Sequence, residues 1–128
     1  MTSALEKGQK MRRILLGDAY ADRIEKEASA EGLGSYMKTY AAEAGFGSIW
    51  SREALDLRSR SLLTIGMLIS QQATHELKLH FQIGMRNGLS LQELEEAVYH
   101  AVPYLGFPKA AIALEVLKSV ASELADNG

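Results

Sequence analysis

An all-α fold is predicted by three observations. Apolar residues recur at helical spacing in six to seven segments, caps and breakers separate those segments, and no stretch alternates polar and apolar residues over a useful strand length. Residues 3–16 and 19–30, rich in Ala, Glu, Lys, Leu and Arg, form the first two helices, with Gly17 and Asp18 as the break and Asp18 as N-cap of the second. Gly32 and Gly34 end that helix, residues 35–44 form a third, and the glycine-rich GFGSIWS that follows reads as irregular. Asp56 caps a helix over 57–72, and 73–87 forms the next, closed by Asn87-Gly88 as a left-handed stop. Ser90 and Glu93 have the Ser-x-x-Glu spacing of a capping box, opening a helix that runs toward Val102 and ends at Pro103 and the Gly106-Phe107-Pro108 turn. Pro108 suits the first turn of a last helix over 109–124, whose stripe is Ala110, Ala113, Leu114, Leu117, Val120, Ala121 and Leu124. Gly66 and Gly84 lie inside helices at about 1 kcal/mol each relative to Ala, which close helix pairing would explain.

Length and composition narrow the function. A chain of 128 residues that is 47% hydrophobic fits one domain, 1–128. Its net charge is -2 and it has no Lys/Arg stripe to follow a phosphate backbone, so nucleic acid is not an expected partner. No segment reads as a signal peptide or membrane span, and a cytoplasmic protein with no membrane partner is expected. There is no cysteine, which removes thiolate nucleophiles and CxxC redox couples, and leaves His75, His80 and His100 for proton chemistry near neutral pH.

Helical phase separates these candidates. At about 100° per residue, His75, Lys78, Gln82 and Arg86 share the solvent side of their helix, while Leu77, His80 and Gly84 lie opposite, flanked by Glu76, Ile83 and Asn87. Glu76, one turn before His80, is placed to hydrogen-bond a ring nitrogen and to raise the imidazole pKa toward or above neutrality. Such a pair suits a general acid or base, and it equally suits a core histidine satisfied by its neighbour. One inward His and one Glu are too few for a metal site. Arg58 heads the stripe of Leu62, Ile65 and Ile69, so its guanidinium either snorkels to the surface or meets a substrate carboxylate. Arg60 faces the other way, with Thr64 and Gln71. His100 shares a polar face with Glu93 and Glu96, either solvated or bordering a neighbouring subunit's site, and Trp50 is a core anchor or a substrate platform.

The ordered motifs IWSR, LxxRSRSLLTI, ELxLH, RNGxSxxE and YxGxP, spread over about residues 12–122, resemble the carboxymuconolactone decarboxylase family of the alkylhydroperoxidase D-like superfamily. The resemblance implies a helical subunit of that type assembling into a homo-trimer or homo-hexamer, with active sites near subunit contacts. In the peroxidase branch the two cysteines would fall at Ala73 and Glu76, the histidine at His80 and a proton-relaying glutamate at Ser61. Three of those four are absent, so the resemblance is to the decarboxylase branch and peroxidase activity is not expected. That branch implies removal of CO2 from a small carboxylated lactone, 4-carboxymuconolactone in protocatechuate breakdown, without metal or organic cofactor. Ser48 and His100 depart from the glutamate and glutamine usual there, which bears on the substrate more than on the reaction class.

The chemistry so implied needs a cation or donors for oxyanion charge, an apolar wall beside the departing carboxylate, and a proton donor. Arg58 or Arg60 would bind a carboxylate, His80 oriented by Glu76 would deliver the proton, and Leu77, Phe81, Ile83 and Trp50 would form the wall, with His100 as a further contact. The same pair serves isomerisation or hydrolysis of a related carbonyl compound, and a non-catalytic helical oligomer that binds a small ligand would carry it for stability alone.

Overall fold

The computed structural model describes residues 2–127, which form seven α-helices and one π-helical segment, with no strand among them. By internal contacts the chain divides into two compact units, Met1–Leu55 and Asp56–Gly128.

The first unit contains α1 (Ala4–Leu16), α2 (Asp18–Ser29), α3 (Ser35–Tyr40) and the π-helical segment Ala41–Trp50. Ser3 caps α1 by accepting from the Glu6 N–H at 3.1 Å. Asp18 is not the cap of α2: Gly17, with φ 87°, takes that position, and Asp18 is the first helical residue. Its carboxylate instead joins Asp22 and Glu25 around the Arg13 guanidinium, at 3.3, 2.7 and 2.8 Å. A strong cation on the preceding helix outcompetes a local cap.

The glycine-rich stretch read as irregular is helical. It widens to an i to i−5 pattern, as in the Ser51 N–H donating to the Phe46 carbonyl at 3.1 Å. The reason lies in packing. A Cβ on Gly8 would stand 1.7 Å from the Ala42 carbonyl oxygen, and one on Gly47 would stand 1.9 Å from that of Ala4. These glycines let α1 and the π segment touch backbone to backbone. Arg12 supports the same junction: it is 4% exposed, donates from Nη2 to the Lys38 carbonyl at 3.0 Å, and lies with its guanidinium carbon 5.2 Å from the Phe46 ring centroid. Burial pulls its pKa down, opposed by Tyr20 and Glu25.

The second unit contains α4 (Leu57–Gln71), α5 (Thr74–Arg86), α6 (Leu91–Leu105) and α7 (Phe107–Asn127) around one apolar core, in which Ile65, Ile69, Leu77, Phe81, Leu94 and Val98 are at most 1% exposed. Asp56 caps α4 by accepting from the Ser59 N–H at 2.7 Å, a bond that holds its carboxyl below the usual range. The Asn87-Gly88 stop forms as expected. Gly88 has φ 99°, Leu89 N–H reaches back to the Gly84 carbonyl at 2.9 Å, and Gly88 N–H to that of Met85 at 3.1 Å, a Schellman closure. The Ser90–Glu93 capping box is complete.

Several boundaries and one glycine differ from expectation. Pro103 does not stop α6 but sits in its last turn, where only the Tyr99 carbonyl loses a donor, and Gly106 closes the helix with its N–H on the Val102 carbonyl at 2.9 Å. Helix α7 begins at Phe107 and runs on to Asn127, α5 is one residue shorter at each end than the spacing suggested, and α4 ends one residue earlier. A Cβ on Gly84 would meet Leu89 at 3.1 Å and Ile65 at 3.4 Å, in keeping with close packing, but nothing lies within 4 Å of Gly66. Close pairing with another helix of this chain therefore does not account for Gly66.

Candidate active site

Helices α4 and α6 leave between them an open groove of about 1040 Å³. One wall is the α4 row Arg58, Leu62, Gly66 and Ser70, spaced by four and so stacked along one face. The other is the polar face of α6, carrying Glu93, Glu96 and His100, with Tyr104 beyond. His100 and Tyr104 lie 5.4 Å apart by ring centroids. At the α4 N-terminal end of the groove Arg58 is ion-paired through Nη2 to the Glu93 carboxylate, both side chains being nearly half exposed. An exposed pair of this kind is worth about 0–1 kcal/mol, so it orients more than it stabilises. At the other end Lys109 Nζ donates to the Ser70 carbonyl at 3.0 Å, closing the C-terminus of α4.

The groove gathers two of the six residues singled out by sequence, Arg58 and His100. The other four, His80, Glu76, Arg60 and Trp50, do not line it. His80 faces inward on α5 as its phase requires, half-buried. Its Nδ1 is buried and is not hydrogen bonded to Glu76, which is exposed in the first turn of the helix. The expected rise in the imidazole pKa is reversed: desolvation lowers it, and the Glu76 charge, which raises it, is the smaller effect. Proximity along a helix was visible in the sequence; the depth of burial was not.

A neutral His80 makes stability pH-dependent. Its folded pKa lies below the unfolded value of about 6.5, so the unfolded chain binds the proton more readily, and stability present above pH 6.5 is lost as pH falls through that value toward the folded pKa. Urea midpoints at pH 7 and pH 5 check this: His80→Gln should lose less stability across that interval than the wild type, and an equal loss would contradict it.

Other expectations sort by burial. Leu77, Phe81 and Ile83 are at most 1% exposed and belong to the core, so they cannot wall a substrate. Trp50 is half-buried at the end of the π segment in the first unit. Arg60 is half-buried on α4, where its carbonyl accepts from Thr64 Oγ1 at 2.8 Å. Ser61 is fully buried and receives Asn87 Nδ2 at 2.9 Å. Among the described residues no three His, Asp or Glu side chains converge as a metal site would require. The Arg58–Glu93 pair was missed by periodicity, which ranks faces within one helix and is blind to the facing helix.

Residues 36–119 match the model of the carboxymuconolactone decarboxylase family. The chain belongs to the carboxymuconolactone decarboxylase family. Membership agrees with the seven-helix, strand-free architecture of the described residues. Among characterised members it is similar to the nitrosuccinic acid decarboxylase of Metarhizium robertsii, at 35% identity over 96% of this chain and 85% of that protein. It is also similar to the 4-carboxymuconolactone decarboxylase of Acinetobacter baylyi, at 28% identity over 93% of this chain and 87% of the relative. An uncharacterised 15.0 kDa protein of Paracoccus denitrificans is 34% identical over 63% of this chain and 62% of its own length. No helix among the described residues is long and apolar enough to cross a membrane.

Proposed function

We propose that this member of the carboxymuconolactone decarboxylase family is a cofactor-free carboxy-lyase acting on a small carboxylated compound in the cytoplasm. One observation carries the reading: two relatives named as decarboxylases align with more than nine-tenths of the chain. 4-Carboxymuconolactone, and with it aromatic catabolism through protocatechuate, is the first candidate. Nitrosuccinic acid is the second, favoured by the higher identity of the relative that bears its name, 35% against 28%.

The two compounds share a reaction logic. Each has a carboxylate on a carbon from which an electron pair can be withdrawn, into an unsaturated lactone in one and a nitro group in the other. The C–C bond breaks, CO2 leaves, the pair is delocalised onto oxygen, and a proton is then added at carbon. Arg58 supplies a guanidinium for a carboxylate, Arg60 a second candidate for that role, and His100 a further contact within the groove. His80, on α5 outside the groove lining, is the candidate to supply the proton. Burial lowers the proton affinity of its imidazole, and the charge of Glu76, like that of any carboxylate brought near, acts the other way. Glu76 assists through its charge.

The proposal includes a homo-trimer or homo-hexamer. Gly66 faces open space in the groove, and Leu63, Met67 and Phe107 are 53%, 58% and 77% exposed, the kind of surface that a second copy would cover. Ultraviolet assays of purified protein with each acid test the chemistry, and light scattering tests the assembly. Turnover of either acid and a mass three or six times that of the 14.0 kDa chain are expected. A folded chain that turns over neither would overturn the decarboxylase reading, and a monomer would overturn the assembly.

A further inference from the structure

The ion pair at the head of the groove places one of the protein's own carboxylates on the guanidinium assigned to the substrate. Glu93 meets Arg58 through Oε2, while Oε1 accepts from the Ser90 N–H at 3.1 Å as half of the capping box that starts α6. The two oxygens therefore have separate tasks. Releasing Arg58 leaves the cap intact, so Glu93 can let go without fraying its helix. Both side chains are nearly half exposed, which makes the contact weak and open to exchange. Asp56, which also feels the Arg58 charge, is committed to the Ser59 N–H and is not a comparable rival.

The charge of the lining sharpens this. Arg58 is its cation and Glu93 and Glu96 are its anions, so these three groups sum to one net negative charge. An approaching anion is repelled unless it takes the place of a carboxylate already there. We propose that Glu93 is an internal competitor for Arg58, and that ligands enter the groove by carboxylate exchange at that guanidinium. Glu93 is thereby a specificity-determining residue: it admits a ligand whose carboxylate engages the planar guanidinium through two nitrogens, and disfavours neutral ligands and weakly held anions. The inference deepens the decarboxylase reading and rests on it for the expectation that the ligand is a carboxylate.

The test measures binding apart from turnover. Succinate and neutral succinamide are titrated by NMR into wild-type protein, Glu93→Gln and Arg58→Ala. Glutamine at this position still supports a capping box, so Glu93→Gln should unfold at the wild-type urea midpoint. Exchange predicts that Glu93→Gln binds succinate roughly two- to fivefold more tightly, as loss of a weak competing pair allows, with succinamide unaffected, and that Arg58→Ala loses most of the succinate response. Equal or weaker succinate binding by Glu93→Gln, wild-type binding by Arg58→Ala, or no succinate binding by any form would overturn the exchange. The predicted pattern in a protein that turns over neither acid would keep the exchange and overturn the decarboxylase reading. Turnover with any of the contrary binding results would do the reverse.

Discussion

Gly8→Ala lowers the stability of the folded chain by about 3 kcal/mol or more, near the upper end of what overpacking produces. The added methyl would stand 1.7 Å from the Ala42 carbonyl oxygen and 2.5 Å from its carbon, so backbone rather than a flexible side chain must move. Gly47→Ala meets the Ala4 carbonyl at 1.9 Å and should behave alike. Gly66→Ala is the internal control, since nothing lies within 4 Å of it and alanine favours a helix by about 1 kcal/mol over glycine. Urea unfolding at constant slope reads all three. A Gly8→Ala protein as stable as Gly66→Ala would show that α1 and the π segment do not touch as described.

His80→Ala reduces turnover of whichever acid the wild type accepts by roughly 10²- to 10⁴-fold, the range for loss of a positioned proton donor. Half-burial of the ring, with Nδ1 out of contact with water, implies a modest loss of stability as well, so circular dichroism and the urea midpoint must accompany the rate. Glu76→Gln should cost far less, under about tenfold, because Glu76 is exposed and acts on the ring by charge alone. Turnover by folded His80→Ala within tenfold of wild type would remove His80 from the chemistry and leave the groove residues Arg58 and His100 to carry it.

What the sequence revealed follows from how far each signal reaches. Asp56, the Ser90–Glu93 box and Asn87-Gly88 act within one turn, and all three formed as their spacing implied. The all-α architecture was legible for the same reason, one helix at a time. Longer reach defeated the reading. Gly45 and Gly47 looked like breakers because the helix that Gly47 admits lies some forty positions earlier, at Ala4. Arg12 carried no local signal of its burial, because its acceptor is the carbonyl of Lys38, 26 positions on. The inward phase of His80 was correct, but its pKa turned on burial contributed by whole helices, and the local carboxylate lost to that effect. At the groove, the Arg58 alternatives of snorkelling or meeting a carboxylate resolved into a third: it meets the protein's own Glu93.

The π segment also sets what this stretch of chain can tolerate over generations. A run of ten residues in wide turns stores one surplus of chain that an ordinary helix would not hold. Deleting one residue ahead of Gly47 would move each later residue of the segment one place along the same wide path, bringing Ser48 to the position opposite Ala4. Gly47 would no longer face Ala4 across α1, and a residue with a side chain would take its place. Substitutions at the exposed Glu43, Ser48 and Ile49 can be absorbed, but neither a side chain at Gly47 nor a change of length can, so descendants of this chain should vary at those three positions while keeping the glycine and the count.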